Sequence, residues 1–222
     1  MFLCATEEEA VRAVVVAGAH IAGAPDKAII SSADWLVAVD GGADTLARMG
    51  LVPQTLVGDL DSISSRTRAE LEAKGVEIRV LPIAKDETDT EAALRMVVEQ
   101  GADDIVVFGA LGGPRIDHLV GNLLLLTSPW LAGRRVHLVD DWHEAFLAHN
   151  DVTFAGSAGD TVSLLPLTPE VEDVHTEGLL YALSGTILLQ ATTRGVSNAM
   201  TGSQARVTHG DGLLLIVHYR GR

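Results

Sequence analysis

Trp35-Leu36-Val37-Ala38-Val39-Asp40-Gly41-Gly42-Ala43-Asp44 sets the pattern of the chain's first half. An apolar, β-branched run breaks into acids and glycines. The run suits a strand buried on both faces, as in parallel sheets. The glycines and acids suit the turn from that strand into a helix. The same order recurs around it. Runs at 13–17, 35–40, 55–58, 77–81, 104–109 and 135–139 read as strands, and stretches at 43–49, 64–74, 88–100 and 115–126 read as helices. Ser64 and either Thr88 or Asp89 offer N-caps, and Gly101 offers a stop. Along the last helix Ile116, Leu119, Leu123 and Leu126 share one side. Strand–helix alternation implies an α/β domain with a parallel sheet and right-handed crossovers.

Beyond residue 150 the texture changes. Runs at 162–167, 179–183, 186–189, 205–209 and 213–219 are short and β-like, with Gly, Pro, Ser and Asp between them. That is the pattern of an antiparallel sandwich or barrel. The chain therefore divides into an α/β domain, 1–150, and a smaller antiparallel β domain, 151–222. No lysine follows Lys85, and no low-complexity linker separates the halves.

Composition narrows the function. The chain has 222 residues, 47% of them apolar and 21% charged, which places it among globular proteins. Thirty acids against 16 bases give a formal charge of −14. That excludes general nucleic-acid binding, which needs a positive footprint, and argues against an anionic membrane surface. An anionic ligand must then be held by backbone N–H groups, one or two Arg or Lys, or a metal ion. The single cysteine, Cys4, allows no internal disulfide and no cysteine zinc site. Glu7, Glu8 and Glu9 followed by a short apolar run at 14–17 do not make a signal peptide. The apolar segment 119–131 carries Asn122 and Pro129 and is too short to span a bilayer. A cytoplasmic protein is expected.

Three of the strands run into acids at their carboxyl ends, where ligands bind in open α/β sheets. One ends in Asp40-Gly41-Gly42-Ala43-Asp44, the next in Gly58-Asp59-Leu60-Asp61-Ser62, and the third leads to Lys85-Asp86-Glu87-Thr88-Asp89. A lone Asp after a strand is ordinarily a cap or turn residue. Asp59 and Asp61 are better than a lone Asp, because alternate residues on a strand end point the same way. Converging carboxylates repel unless a cation sits among them, and Mg²⁺ is the hard, oxygen-liganded ion that fits. A fourth strand end reads Gly112-Gly113-Pro114-Arg115-Ile116-Asp117-His118. Glycines let the backbone approach a ligand, and Arg115 can fork onto a phosphate. No P-loop, G-x-G-x-x-G after the first strand, G-x-S-x-G elbow or H-E-x-x-H is present. His20, His137 and His218 read as core-edge or surface residues, not ligands.

Taken together, these strings resemble the thiamin pyrophosphokinase family over nearly the whole chain and in family order. Gly195-Val196-Ser197-Asn198 resembles its substrate motif. The resemblance implies an N-terminal nucleotide-binding α/β domain and a C-terminal β-sandwich that binds thiamin. It also implies a homodimer with the active site at the subunit interface. The reaction it implies is Mg²⁺-dependent transfer of the pyrophosphoryl group of ATP to the thiamin hydroxyl, giving thiamin diphosphate and AMP. On the matching positions, Asp40, Asp59, Asp61 and Asp89 are expected to hold Mg²⁺. Gly41, Gly42, Lys85, Thr88, Gly112 and Gly113 are expected around the nucleotide, with Arg115 on the transferred group. Asp59 or Asp117 is expected to accept the alcohol proton, and Ser197 and Asn198 to hydrogen-bond the aminopyrimidine. Family pockets often place an aromatic near the thiamin ring. Here Ala199-Met200 follows the motif, so the Met200 sulfur is expected against the ring. Two alternatives are a pyrophosphokinase for another heterocyclic alcohol, such as a hydroxymethylpterin, and a non-catalytic nucleotide- or thiamin-binding regulator.

Overall fold

Buried strands form as the apolar runs require. The computed structural model describes residues 10–18 and 27–221; Cys4, the acids at 7–9 and His20 lie outside them. The described residues fall into two compact units, divided within a strand at Val106/Val107.

The first unit holds β1 (Val11–Val16), α1 (Lys27–Ser31), β2 (Trp35–Val39), α2 (Gly42–Arg48), β3 (Thr55–Gly58), α3 (Ser65–Ala73), β4 (Glu77–Val80), α4 (Asp89–Glu99) and the start of β5 (Ala102–Phe108). The strand order is β5-β1-β2-β3-β4. The β1–β2, β2–β3 and β3–β4 pairings are parallel. β2, β3 and most of β1 and β5 are buried, whereas the edge strand β4 is largely exposed. α2 packs hard on β1: a Cβ on Gly42 would lie 1.9 Å from the Val16 carbonyl oxygen, so only glycine fits there. α3 and α4 start where their caps stand. Ser64 Oγ accepts the Thr67 amide and Thr88 Oγ1 accepts the Glu91 amide.

The second unit continues with α5 (Ile116–Leu125), a short 3₁₀ turn (Pro129–Leu131), β6 (Arg135–Val139), β7 (His143–Ala148), β8 (Asp151–Ala155), β9 (Thr161–Pro166), β10 (Glu170–Glu177), β11 (Thr186–Leu189), β12 (Asn198–Ala199), β13 (Gln204–Thr208) and β14 (Leu214–Tyr219). β6, β7, β14, β9 and β12 are neighbours in that order, and β11-β10-β13-β8 form a separate four-stranded sheet. The pairings registered among these strands are antiparallel. Phe146, Phe154, Val162, Leu164, Val171, Leu188 and Ile216 fill the core of this unit.

Several elements differ from the sequence expectation: α1, β7, β8, β10 and β12 form where no element is expected. Residues 179–183 form no strand, and only Leu179 bridges to Met200. β10 hides its alternation behind Glu170, Glu172, Asp173 and Glu177, and a bulge between Val171 and Val174 breaks the period. β7 opens on His143 and Glu144, whose charges mask a strand that is apolar further on. Among the described residues no helix is long and apolar enough to cross a membrane.

Asp44 ties α2 to α3: its carboxylate accepts the Ser64 amide at 2.9 Å, the Ser64 hydroxyl at 2.6 Å and the Thr67 hydroxyl. Against burial, the hydrogen bonds from Ser64 and Thr67 hold Asp44 below the ordinary carboxylate range. Ser64→Ala removes both the cap and a partner of Asp44, and should cost about 1–2 kcal/mol at neutral pH, read from the urea midpoint. A lowered native pKa contributes stability above the unfolded value and loses it on acidification. The deficit of the variant should therefore shrink below about pH 4. An undiminished deficit there would separate Ser64 from Asp44.

Candidate active site

Asp40 follows β2 in a left-handed conformation, with φ 44°. A non-glycine residue held there signals a constraint from its surroundings. Its amide donates to the Val57 carbonyl, which docks the strand end on β3. Its carboxylate lies over Gly58, where a Cβ would sit 1.8 Å from Oδ1. Gly58 is thus the space that Asp40 occupies. The Leu60 amide donates to Asp40 Oδ1 at 3.0 Å, and Leu60 is itself left-handed, with φ 65°. Asp40 does not cap α2; the residue at that position is Gly41, with no side-chain cap.

Asp40, Asp59 and Asp89 each offer a carboxylate oxygen, and these atoms lie within 4.8 Å of one another. All three side chains are partly or wholly withdrawn from solvent. Burial first, and then the charges of Asp89, Asp59 and Asp61, push Asp40 up to about 6, against the Leu60 hydrogen bond. Asp89 is not a cap either, because Thr88 performs that service for α4. Its Oδ1 is buried without a hydrogen bond and faces Lys85 Nζ at 3.0 Å as a bare ion pair. Lys85 also donates to the Pro82 carbonyl. Asp59 Oδ1 accepts the Asp61 amide at 3.1 Å, an Asx-type turn that aims the exposed Asp61 at the same neighbourhood. The charge of Asp59 raises the Asp61 pKa.

These features fit a divalent cation. Three carboxylates converge, and two of them have no role in capping. One buried oxygen, Asp89 Oδ1, has an ion pair with Lys85 and no hydrogen bond, and that single cation only partly meets the mutual repulsion.

The remaining expected site residues are elsewhere. Gly41 donates its amide to Ser62 Oγ, while Gly42 is buried against β1 and serves packing. Gly112 and Gly113 lead to α5 in the second unit, Gly113 with φ 89°. Arg115 is forked onto Asp117, Nη2 to Oδ2 at 2.6 Å and Nε to Oδ1 at 2.9 Å. That fork holds Asp117 down to about 2. Both side chains are exposed.

Ser197 is left-handed, with φ 60°, and its amide donates to Ser163 Oγ. Its hydroxyl side is exposed, whereas Asn198 is buried. The Asn198 amide group is largely spent on the chain itself. Oδ1 accepts the Tyr181 and Ala199 amides at 2.9 Å, and Nδ2 donates to the Tyr181 carbonyl at 2.8 Å. Asn198 therefore clamps Tyr181, a residue 67% exposed, beside the motif. An aromatic thus stands beside the motif from a distant stretch of chain, joined by hydrogen bonds and not by sequence. Met200 does not fill that role: it is 2% exposed and packed in the core with its sulfur against Gly156.

The profile for "Thiamin pyrophosphokinase, catalytic domain" matches residues 27–138, and that for "Thiamin pyrophosphokinase, vitamin B1 binding domain" matches residues 150–214. Thiamine pyrophosphokinase of Bacillus subtilis (strain 168) is 27% identical over 183 residues, covering 82% of this chain and 85% of that protein. The crystal structure of a thiamine pyrophosphokinase from Bacillus subtilis has a TM-score of 0.85 at 25% identity, over 95% of this chain and all of that one. That of thiamin pyrophosphokinase from Geobacillus thermodenitrificans has a TM-score of 0.83 at 27% identity, over 95% and 98% of the two chains. With the catalytic-domain profile matching half of its length and the vitamin-binding profile following in order, the chain belongs to the thiamin pyrophosphokinase family, and it is an enzyme of thiamin diphosphorylation.

Proposed function

We propose that the protein transfers the pyrophosphoryl group of ATP to the hydroxyl of thiamin, with Mg²⁺, giving thiamin diphosphate and AMP. The observation that carries this is the carboxylate cluster of Asp40, Asp59 and Asp89, which includes a buried oxygen without a hydrogen bond. Asp40, Asp59 and Asp89 are the residues that would hold Mg²⁺, with Asp61 beside them. The ion supplies charge neutralisation for phosphate oxygens and for the departing nucleotide. Residues 1–150 carry this catalytic part and residues 151–222 the thiamin-binding part, in a cytoplasmic enzyme.

The chain's own groups divide the remaining work. Lys85 neutralises Asp89 and stands as a second cation beside the phosphate site. The side-chain-free backbone at Gly41 and at Gly112-Gly113 offers close approach to the nucleotide. Arg115 exchanges its fork on Asp117 for one on the phosphate chain, since both are planar bidentate pairings. While that fork stands, Asp117 is a poor proton acceptor, because a carboxyl held near 2 has little affinity for a proton. Once Arg115 leaves for the phosphate chain Asp117 is released, so Asp59 and Asp117 both stand as acceptors for the alcohol proton. Ser197 offers its hydroxyl to the aminopyrimidine. Tyr181, aimed by Asn198, offers an aromatic face to the ring system and its thiazolium charge.

A homodimer is supported by apolar surface left uncovered in the single chain. α5 buries none of its residues; Ile116 is 75%, Leu124 53% and Val120 46% exposed. Of the expected stripe only Ile116 is exposed, while Leu119 and Leu123 are half-buried and Leu126 is buried; the face of Ile116, Val120 and Leu124 is the one free to meet a second copy.

Mass spectrometry of a reaction of ATP, Mg²⁺ and thiamin should show thiamin diphosphate and AMP in equal amounts, and none with chelator. Thiamin monophosphate with ADP would contradict pyrophosphoryl transfer. Product from a hydroxymethylpterin and none from thiamin would move the assignment to that alcohol. Asp59→Asn should lower kcat at least about a hundredfold while leaving the thermal midpoint within a few degrees. Near-normal turnover would remove Asp59 from the site. Light scattering in solution should give twice the chain mass, and Leu124→Glu should shift it toward the monomer.

A further inference from the structure

His218 on β14 is completely enclosed, at 0% exposure. An imidazole at this depth ordinarily stays neutral, and here its surroundings are charged. Nε2 meets Asp160 Oδ2 at 3.0 Å, and Asp160 is itself 5% exposed. Nδ1 has no hydrogen-bond partner and lies 3.8 Å from Glu144 Oε2 on β7. A neutral imidazole has one N–H, and both neighbours only accept. Donation to Asp160 alone would leave the Nδ1 lone pair against the Glu144 carboxylate. The imidazolium instead presents an N–H to each side and places a positive charge between the two carboxylates.

The groups around the ring are few. Glu144 comes from β7 and Asp160 from the loop ahead of β9. Arg220, just past β14, donates to Glu144 Oε2 at 2.7 Å, and His137 on β6 pairs with Glu144 Oε1 at 2.8 Å. β9 brings no charged residue, and β8 contributes the Phe154 ring at 5.6 Å. Arg220 and His137 are occupied with Glu144, so Asp160 has His218 as its cation. The carboxylate of Glu144 and then, against burial, the hydrogen bond to Asp160 raise the His218 pKa, while Arg220 opposes them.

Asp160 holds more than a histidine. Its Oδ2 also accepts the Ser157 amide at 2.9 Å, and its main-chain carbonyl accepts the Met200 amide at 2.8 Å. The Gly159 amide donates to the Met200 carbonyl at 2.9 Å. β9 then pairs with β12 through Thr161–Ala199 and Val162–Asn198. On its other side β9 pairs with β14 through Val162–His218. His218, Val162 and Asn198 thus lie in one row across the sheet.

We propose that His218 is a positioning residue for the Ser197–Asn198 segment: as an imidazolium between Asp160 and Glu144 it anchors the loop 156–160, from which β12 hangs, and loss of its proton loosens that segment. This rests on the assignment of Ser197 and its neighbours to thiamin. A raised histidine pKa contributes stability below the unfolded value and loses it as pH rises through the folded one. The segment should therefore be tight on the acid side and loosen toward alkaline pH.

Hydrogen exchange of the intact wild-type protein, corrected for intrinsic rates, tests this over about pH 6 to 9. Met200 and the 157–160 amides should lose protection as the His218 ring titrates, the ring being followed by NMR. Ile216 and Phe146 should stay protected. In parallel, His218→Gln and Asp160→Asn should each raise the thiamin KM about tenfold, the scale of one charge-assisted hydrogen bond. The kcat should stay within about twofold, and the pH dependence of KM should flatten. Unchanged Met200 protection across the His218 titration would overturn the proposal, as would an unchanged KM in both variants. Should a variant fail to fold, the wild-type exchange series decides alone. An absence of turnover with thiamin in the wild type would count against the proposed function and leave the exchange result to judge His218.

Discussion

Mutual repulsion among Asp40, Asp59 and Asp89 is the constraint around which the first unit is organised. Three carboxylate oxygens within 4.8 Å, withdrawn from solvent, are unfavourable unless a cation or a proton joins them. The fold accepts that cost by over-determining each position. Asp40 is held left-handed by the β3 edge and by a glycine that makes room for it. Asp59 is fixed by its turn to Asp61, and Asp89 by the start of a helix capped by its neighbour Thr88. Strain kept at one place and supported from several elements is the mark of a site built for a ligand.

Much of this arrangement is legible in the chain. β1, β2, β3 and β5 declare themselves because burial on both faces demands unbroken apolar runs. The acids declare themselves because they end those runs, where an open α/β sheet binds its ligands. The finer division of labour is not legible. Gly41-Gly42 looks like a single ligand loop, yet Gly42 is dictated by the Val16 carbonyl. The eventual pairing of Asp44 with Ser64 and Thr67 depends on how α2 and α3 pack, and spacing alone cannot show it. α5 carries an apolar stripe at the right period, but period cannot say whether the stripe meets a core or a second copy.

The second unit is less legible in the chain for a related reason. In antiparallel sheets alternation carries the signal, and charged residues with structural duties erase it. Glu144 and His143 open β7, and acids occupy half of β10. Of these, Glu144 belongs to the buried network around His218. Likewise, Tyr181 is brought beside Ser197-Asn198 by side-chain hydrogen bonds of Asn198. A motif residue can thus act by placing another residue far off in sequence, which spacing does not reveal.

The most direct test of the central claim is a titration with Mn²⁺ followed by electron paramagnetic resonance, on wild type and on Asp89→Asn. A Mn²⁺ site in the wild type that competes with Mg²⁺ and is lost or much weakened in the variant is the expected result. Equal binding by the two proteins, or none by either, would contradict a divalent-cation centre at Asp40, Asp59 and Asp89.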